Sequence, residues 1–118
     1  MQGGWQLKIE RIAKPWGYEL VWAQTSEYVG KILHINAGHR LSKQYHEIKE
    51  ETVYVLRGIL YVYDENNRIT KIPKGQSFHV HPAQVHRFGA MESSVELVEV
   101  STNHLEDIVR LEDDYRRE

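Results

Sequence analysis

Hydrophobic positions along the chain fall into short runs, each closed by turn-forming residues before it reaches the length of a helix. The runs YELVWAQ, EYVGKILHINA, ETVYVLRG, ILYVYD, RITKIP, QSFHVH and SVELVEVS are rich in valine, isoleucine, tyrosine and phenylalanine. Those side chains suit a pleated, half-buried surface, so each run predicts a β-strand. Breaks come at Lys14-Pro15-Trp16-Gly17, Ala37-Gly38, Asp64-Glu65-Asn66-Asn67 and Pro73-Lys74-Gly75. ILYVYDENNRITKI predicts a hairpin, because Asn66 and Asn67 tolerate the positive φ of a tight turn. Many short strands at close spacing predict a β-sandwich or small barrel. The pattern changes near the C-terminus. In HLEDIVRLEDDY, Leu105, Ile108, Val109 and Leu111 lie near helical spacing, which predicts a short helix packed on the barrel's outside, the alternative being a frayed acidic tail.

Size and charge narrow the function classes. A chain of 118 residues has room for one hydrophobic core, so residues 1–118 are expected to form a single domain. A hydrophobic share of 41% and a charged share of 27% fit a soluble globular protein. With a net charge of −2 there is no general attraction to nucleic acid or to an anionic membrane, and neither is an expected partner. No apolar run reaches the roughly 18 residues of a membrane span, and the opening MQGGWQLKIE lacks the apolar stretch of a secretory signal. A cytoplasmic location is therefore expected. The chain has no cysteine, which excludes disulfides and thiolate chemistry and leaves histidine, carboxylate and amide as metal ligands.

One such set is visible. Gln44 and His46 are two apart in a strand-like stretch and point to one face. Glu51 opens the next strand after a four-residue connection and can reach the same space. His86 follows the run GQSFHVHPAQVH. A carboxylate, two imidazoles and an amide oxygen suit a divalent transition ion, with Zn, Mn, Fe and Ni all compatible. The plainer reading is a polar pocket without metal. For Gln44 in particular, hydrogen bonding to a ligand or substrate is the alternative to coordination. His79 and His81 share a face of the strand before His86, either the pocket side or the solvent side. His34 and His39, beside Gly38, read as surface or structural histidines. Trp16 reads as a packing anchor, or else as a platform for a sugar ring.

These spacings resemble a known family. Gly38-x5-Gln44-x-His46-x4-Glu51-x6-Gly58 is similar to the first cupin motif, with Gln44 where most cupins carry histidine. Gly75-x10-His86 resembles the second motif, although its proline has moved to Pro82, Ala83 stands in place of a glycine and Ala90 in place of an asparagine. Lys14-Pro15-Trp16-Gly17, LSKQYH, His86-Arg87, ELVEVST and EDIVRLEDDY follow in this order. Together they resemble the C-terminal cupin domain of the bifunctional mannose-6-phosphate isomerase/GDP-mannose pyrophosphorylase family, over about Arg11 to Arg117. In that family a Gln-x-His start is normal. The loop of this chain keeps a basic residue at Lys49 but lacks the family's extra histidines and tryptophan. No Gly-rich nucleotide loop is present, so nucleotidyl transfer is not expected of this stretch.

The resemblance implies an all-β jelly-roll barrel, the double-stranded β-helix of cupins, and a metal-dependent interconversion of mannose 6-phosphate and fructose 6-phosphate. The implied ion is held by His46, Glu51 and His86 with help from Gln44. A base must carry the proton between C1 and C2; His79 is the first candidate and Glu50 the second. Arg87, Lys49, Arg40 and Lys14 are candidates for the substrate phosphate. Small cupins pair through exposed sheet edges, which implies a homodimer. Two other classes keep the ligands and change the outcome: a different cupin enzyme such as a dioxygenase or another sugar-modifying enzyme, and a non-catalytic sugar-binding or small-molecule-binding module.

Overall fold

The computed structural model describes residues 8–117. Eleven strands run through them: β1 (Glu10–Lys14), β2 (Gly17–Gln24), β3 (Tyr28–Ile35), β4 (Lys43–Tyr45), β5 (Glu51–Arg57), β6 (Ile59–Tyr63), β7 (Ile69–Pro73), β8 (Ser77–Val80), β9 (Arg87–Gly89), β10 (Val95–Thr102) and β11 (Val109–Glu112). The seven long apolar runs are all strands. Six strands form one antiparallel sheet in the order β1-β2-β3-β10-β5-β8. The facing layer is built from β7-β6-β9 and from the β4–β11 pair. Bridges Gln44–His86 and Arg40–Gly89 join these two pieces, with backbone bonds of 3.0 Å (Gln44 N to His86 O) and 2.9 Å (His86 N to Gln44 O).

Period-two alternation fixes which side chains enter the space between the layers. On β5, Glu51, Val53 and Val55 are buried while Tyr54, Leu56 and Arg57 are exposed. On β10, Val95, Leu97, Glu99 and Ser101 turn inward. The interior is divided between two kinds of packing. Leu33, Ile35, Val53, Val55, Leu60, Val62, Val80, Phe88, Val95 and Leu97 form the apolar core, closed by Trp16. Trp16 is 2% exposed and so is chiefly a packing anchor. Glu19, Lys31, Glu51 and Glu99 come from the same sheet, and all four line one cavity beside that core.

The predicted C-terminal helix is absent. Residues 109–112 form β11, which pairs with β4 (Val109↔Tyr45, Arg110↔Gln44). Helical spacing of four apolar residues is a weak local preference, and the open backbone of β4 offers a hydrogen-bonded partner that outweighs it. Just upstream, the Asp107 carboxylate accepts backbone N–H bonds from Glu47 (2.9 Å), Ile48 (2.7 Å) and Lys49 (2.8 Å). It ties the C-terminal segment across the loop that follows β4.

The β6–β7 hairpin forms as predicted, with Asn67 at φ 63°. Asp64 Oδ1 accepts the N–H of Asn66 at 2.8 Å and of Arg68 at 2.9 Å. Gly58 has φ 83°, and a Cβ there would sit 2.4 Å from Ser94 O, so this motif position admits no side chain. Ala83 is the informative exception. It takes φ 68° where the motif has glycine, and its N–H bonds His46 O at 2.6 Å. The turn before His86 is thus kept, at the cost of a left-handed alanine.

Left-handed backbone costs a non-glycine residue on the order of 1–2 kcal/mol. Ala83→Gly is therefore expected to raise unfolding stability by about 1 kcal/mol, after glycine's larger chain entropy is subtracted. Urea denaturation checks this, and a lower midpoint for the variant contradicts it.

Candidate metal centre

Three buried side chains converge between the layers. His46 follows β4, Glu51 opens β5 and His86 precedes β9; the exposures are 3%, 4% and 3%. One donor atom from each lies within 4.8 Å of the others. His46 Nε2 is 2.9 Å from Glu51 Oε1, and His86 Nε2 is 4.0 Å from the same oxygen.

The other ring nitrogens set the chemistry. His46 Nδ1 lies 2.6 Å from the Asp107 carbonyl, and His86 Nδ1 lies 2.9 Å from the Gln84 carbonyl. A carbonyl oxygen only accepts, so both Nδ1 atoms carry a proton and both rings turn Nε2 towards Glu51. His46 Nε2 is buried without an aligned hydrogen-bond partner, despite its short approach to the carboxylate. Two imidazole Nε2 atoms and a carboxylate facing one point form a donor set that a cation can satisfy. The donor set fits a divalent transition ion.

Electrostatics around the three ligands are those of a packed charge cluster. Lys49 Nζ lies 3.6 Å from Glu51 Oε1 and 3.5 Å from Glu99 Oε2. Burial pushes the Glu51 carboxyl up, but the His46 ring, Lys49 and His86 together outweigh it and hold Glu51 well below the usual carboxylate range. Burial lowers His86, partly offset by Glu51, and so favours the neutral ligand form. Burial and the nearby Glu51 charge push Glu99 up to about 8. Burial opposes the Lys49 charge, yet Glu99 and Glu51 overcome it and raise its affinity for the proton. Beside them Lys31 pairs with Glu19 at 3.1 Å.

The predicted residues divide by position. Gln44, His46, Glu51, His86, Lys49 and Lys14 line one cavity of about 120 Å³. The Gln44 amide nitrogen donates to Ser42 Oγ at 2.9 Å, which leaves the amide oxygen as its ligand-type atom. His79 and Glu50, expected as base candidates, are not brought to the cavity. They lie on the outer side of the sheet, with His79 Nε2 2.7 Å from Glu50 Oε2. The reason is parity: Glu50 precedes an inward Glu51, and His79 precedes an inward Val80. Arg87 is 1% exposed and serves as a tie, donating to Leu41 O at 2.8 Å and to Asp114 at 3.0 Å. Arg40 pairs with Asp114 at 2.7 Å beside a separate depression. Neither arginine lines the cavity.

Two residues with clear roles at this site escaped the sequence reading. Glu99 shares the parity of Val95 and Leu97 in VELVEVST, a signal that was available in the alternation. Asp107 was not legible. Its carbonyl orients His46, and its carboxylate, brought down to about 2 by the N–H groups of Glu47, Lys49 and Ile48, pins the ligand loop. His34 and His39 are structural: His34 stacks on Tyr18 with ring centroids 4.9 Å apart, and His39 lies parallel to Tyr115 at 6.3 Å.

Comparison with solved structures shows the fold. The polyketide cyclase RemF from Streptomyces resistomycificus superposes with TM-score 0.77 at 11% identity, over 94% of this chain and 85% of that one. KdgF from Halomonas sp. gives 0.70 at 17%, over 81% and 87%. A sugar phosphate isomerase of the cupin superfamily from Silicibacter pomeroyi gives 0.68 at 18%, over 80% and 71%. No curated protein matches the chain by sequence. These likenesses make the barrel a double-stranded β-helix of the cupin type. A family model described as mannose-6-phosphate isomerase C-terminal matches residues 5–113, across both ligand strands and the lysine-lined cavity, and the chain belongs to that family.

Proposed function

We propose that the protein is a metal-dependent sugar-phosphate isomerase that interconverts mannose 6-phosphate and fructose 6-phosphate. The observation that carries this reading is the pair of imidazole Nε2 atoms converging on Glu51 in a cavity that also holds ammonium groups. Family membership and the cupin relatives described as sugar phosphate isomerases support it. His46, Glu51 and His86 would hold the ion, with the Gln44 amide oxygen beside them. A divalent ion there supplies Lewis-acid polarisation of a carbonyl oxygen.

The chain's own groups do the rest. Aldose–ketose exchange removes the proton from C2, returns one to C1, and moves the hydroxyl proton from O2 to O1. Glu99 is the proton carrier in this reading, in place of His79 and Glu50. Its affinity for protons lies near neutrality, so it can take a proton and give it back. Lys49 stands beside Glu99 and Glu51 and offsets negative charge that builds up on the substrate oxygens. Lys14 lines the cavity with no ion-pair partner among the described residues, which makes it the anchor for the phosphate. Sugar phosphates belong to the cytoplasm, and a cytoplasmic location goes with the proposal. No helix among the described residues is long and apolar enough to cross a membrane.

A homodimer is also part of the reading. Trp22, Tyr28, Tyr54, Leu56 and Val100 are 39–54% exposed. Tyr54, Leu56 and Val100 take the outward parity of their strands, so one face of the six-stranded sheet carries apolar side chains that a second copy would cover.

Metal-loaded protein given mannose 6-phosphate is expected to form fructose 6-phosphate with exchange of the C2 proton. His46→Ala is expected to lose bound metal and at least 100-fold in turnover. Retained metal without exchange would favour a binding module, and Fe(II)-dependent oxygen uptake would favour a dioxygenase. Glu99 tests the electrostatics. Its folded affinity for the proton exceeds the unfolded one, so its stability contribution is present below about pH 4.5 and is lost as pH rises towards 8. In metal-stripped protein, Glu99→Gln is expected to flatten that decline, by up to about 1.4 kcal/mol per pH unit. Parallel pH profiles for variant and parent would refute it. Leu56→Glu is expected to shift the light-scattering mass from two chains to one.

A further inference from the structure

The two histidines and the glutamate left outside the cavity form a cluster of their own. We propose that Glu50, His79 and His81 form a second, surface site for a divalent transition ion of the Zn²⁺ class, on the opposite side of the sheet from the first. One donor atom from each of the three lies within 4.8 Å of the others. Alternation creates the pairing of sites. Glu51 points inward from β5 and its neighbour Glu50 points outward, while His79 and His81, two residues apart at the edge strand β8, share the outward side.

The backbone under each ligand is already fixed. Glu50 N–H donates to Thr102 Oγ1 at 3.2 Å, and Glu50 O accepts from Thr102 N–H at 3.1 Å. His79 sits opposite Thr52 in the β5–β8 ladder. His81 N–H donates to Gln84 Oε1 at 3.0 Å, ahead of the turn that Ala83 N–H ties to His46 O. Little chain entropy remains to be lost when an ion arrives. The rings of His79 and His81 are 4.5 Å apart, edge to face.

Hydrogen bonds hold the His79 ring at both nitrogens. His79 Nδ1 lies 2.7 Å from Thr52 Oγ1, and Nε2 lies 2.7 Å from Glu50 Oε2. The carboxylate only accepts, so Nε2–H donates to Glu50 and the Thr52 hydroxyl donates to Nδ1; an ion binding at Nε2 would leave the ring proton on Nδ1, donated to Thr52 Oγ1. Ligand bonds of about 2.0–2.1 Å at a tetrahedral centre set neighbouring donors about 3.3 Å apart. The two side chains, 38% and 48% exposed, are free to open by the roughly 0.6 Å that this requires. Two imidazoles and a carboxylate with a remaining position for a further donor match Zn²⁺, Ni²⁺ or Cu²⁺ and disfavour Mg²⁺ and Ca²⁺. A bound ion would clamp the start of β5 to the end of β8, and so brace the turn that leads to His86.

Zn²⁺ titration of chelator-stripped protein, followed by calorimetry and elemental analysis, tests this. The parent chain is expected to bind two equivalents. His81→Ala and Glu50→Gln, both at exposed positions, are expected to bind one, with affinity at the lost site reduced at least tenfold. His86→Ala is expected to keep the surface equivalent and lose the buried one. The two sites fail separately. A single equivalent abolished by His81→Ala supports the surface site and refutes the buried one. Stoichiometry and affinity unchanged by both His81→Ala and Glu50→Gln overturn the proposal and leave only a His79–Glu50 hydrogen bond.

Discussion

A buried carboxylate is the constraint around which this barrel is organised. Glu51 is 4% exposed, and an isolated charge at that depth would neutralise itself by taking up a proton. Instead the surroundings hold it ionised: the His46 ring lies 2.9 Å away, Lys49 3.6 Å and His86 4.0 Å. Glu99, on the far side of the same ammonium, is pushed up to about 8 by its burial and by the Glu51 charge, against the pull of Lys49. The cluster then directs one carboxylate and two imidazole nitrogens at a common point. The Nδ1 donors of both rings are spent elsewhere, on the Asp107 and Gln84 carbonyls.

The architecture explains how such a point is assembled. The six-stranded sheet supplies Glu51, Glu99, Glu19 and Lys31 from one inward face, and the facing layer supplies Gln44, His46 and His86. A pair of backbone hydrogen bonds between Gln44 and His86 sets the spacing of the two ligand strands. The segment after β10 then closes the arrangement. Asp107 bonds the His46 ring through its carbonyl and three consecutive N–H groups of the ligand loop through its carboxylate. Ala83, left-handed and bonded to His46 O, fixes the other side of the same ligand. Both devices hold the imidazole planes, which is where the precision of a ligand site resides.

The departures from the family's usual loop fit this picture. Lys49 stands where the basic residue of the loop is expected, and it is drawn into the charge cluster instead of reaching solvent. Arg87 and Arg40, plausible phosphate ligands by composition, converge on Asp114 and hold the C-terminal segment against the barrel. The cavity's positive groups are other ones, Lys14, Lys31, Lys49, Arg110 and Arg117. The relatives by structure carry out different chemistries on one barrel, a cyclase and an isomerase among them, so the site and not the fold has to specify the reaction.

Most of the fold was legible in the chain. Runs such as ETVYVLRG and SVELVEVS became β5 and β10, and the Asn66-Asn67 turn formed where its residues allow it. Strand alternation put Gln44 and His46 on one face near Glu51, and the resemblance to the cupin motifs added His86 to them. What the sequence could not determine depended on which strand finds which neighbour. Leu105 to Leu111 kept helical spacing yet became a strand edge, since the unpaired backbone of β4 was waiting beside it. His79 and Glu50 resembled cavity residues by proximity in sequence, but parity sent them outward, and only the sheet's orientation says which parity faces the core. Asp107 acquired its role purely from where the chain returns. Local preference acts over a few residues, whereas ligand orientation and charge pairing act across contacts about 60 residues apart, and those exist only once the two layers have closed.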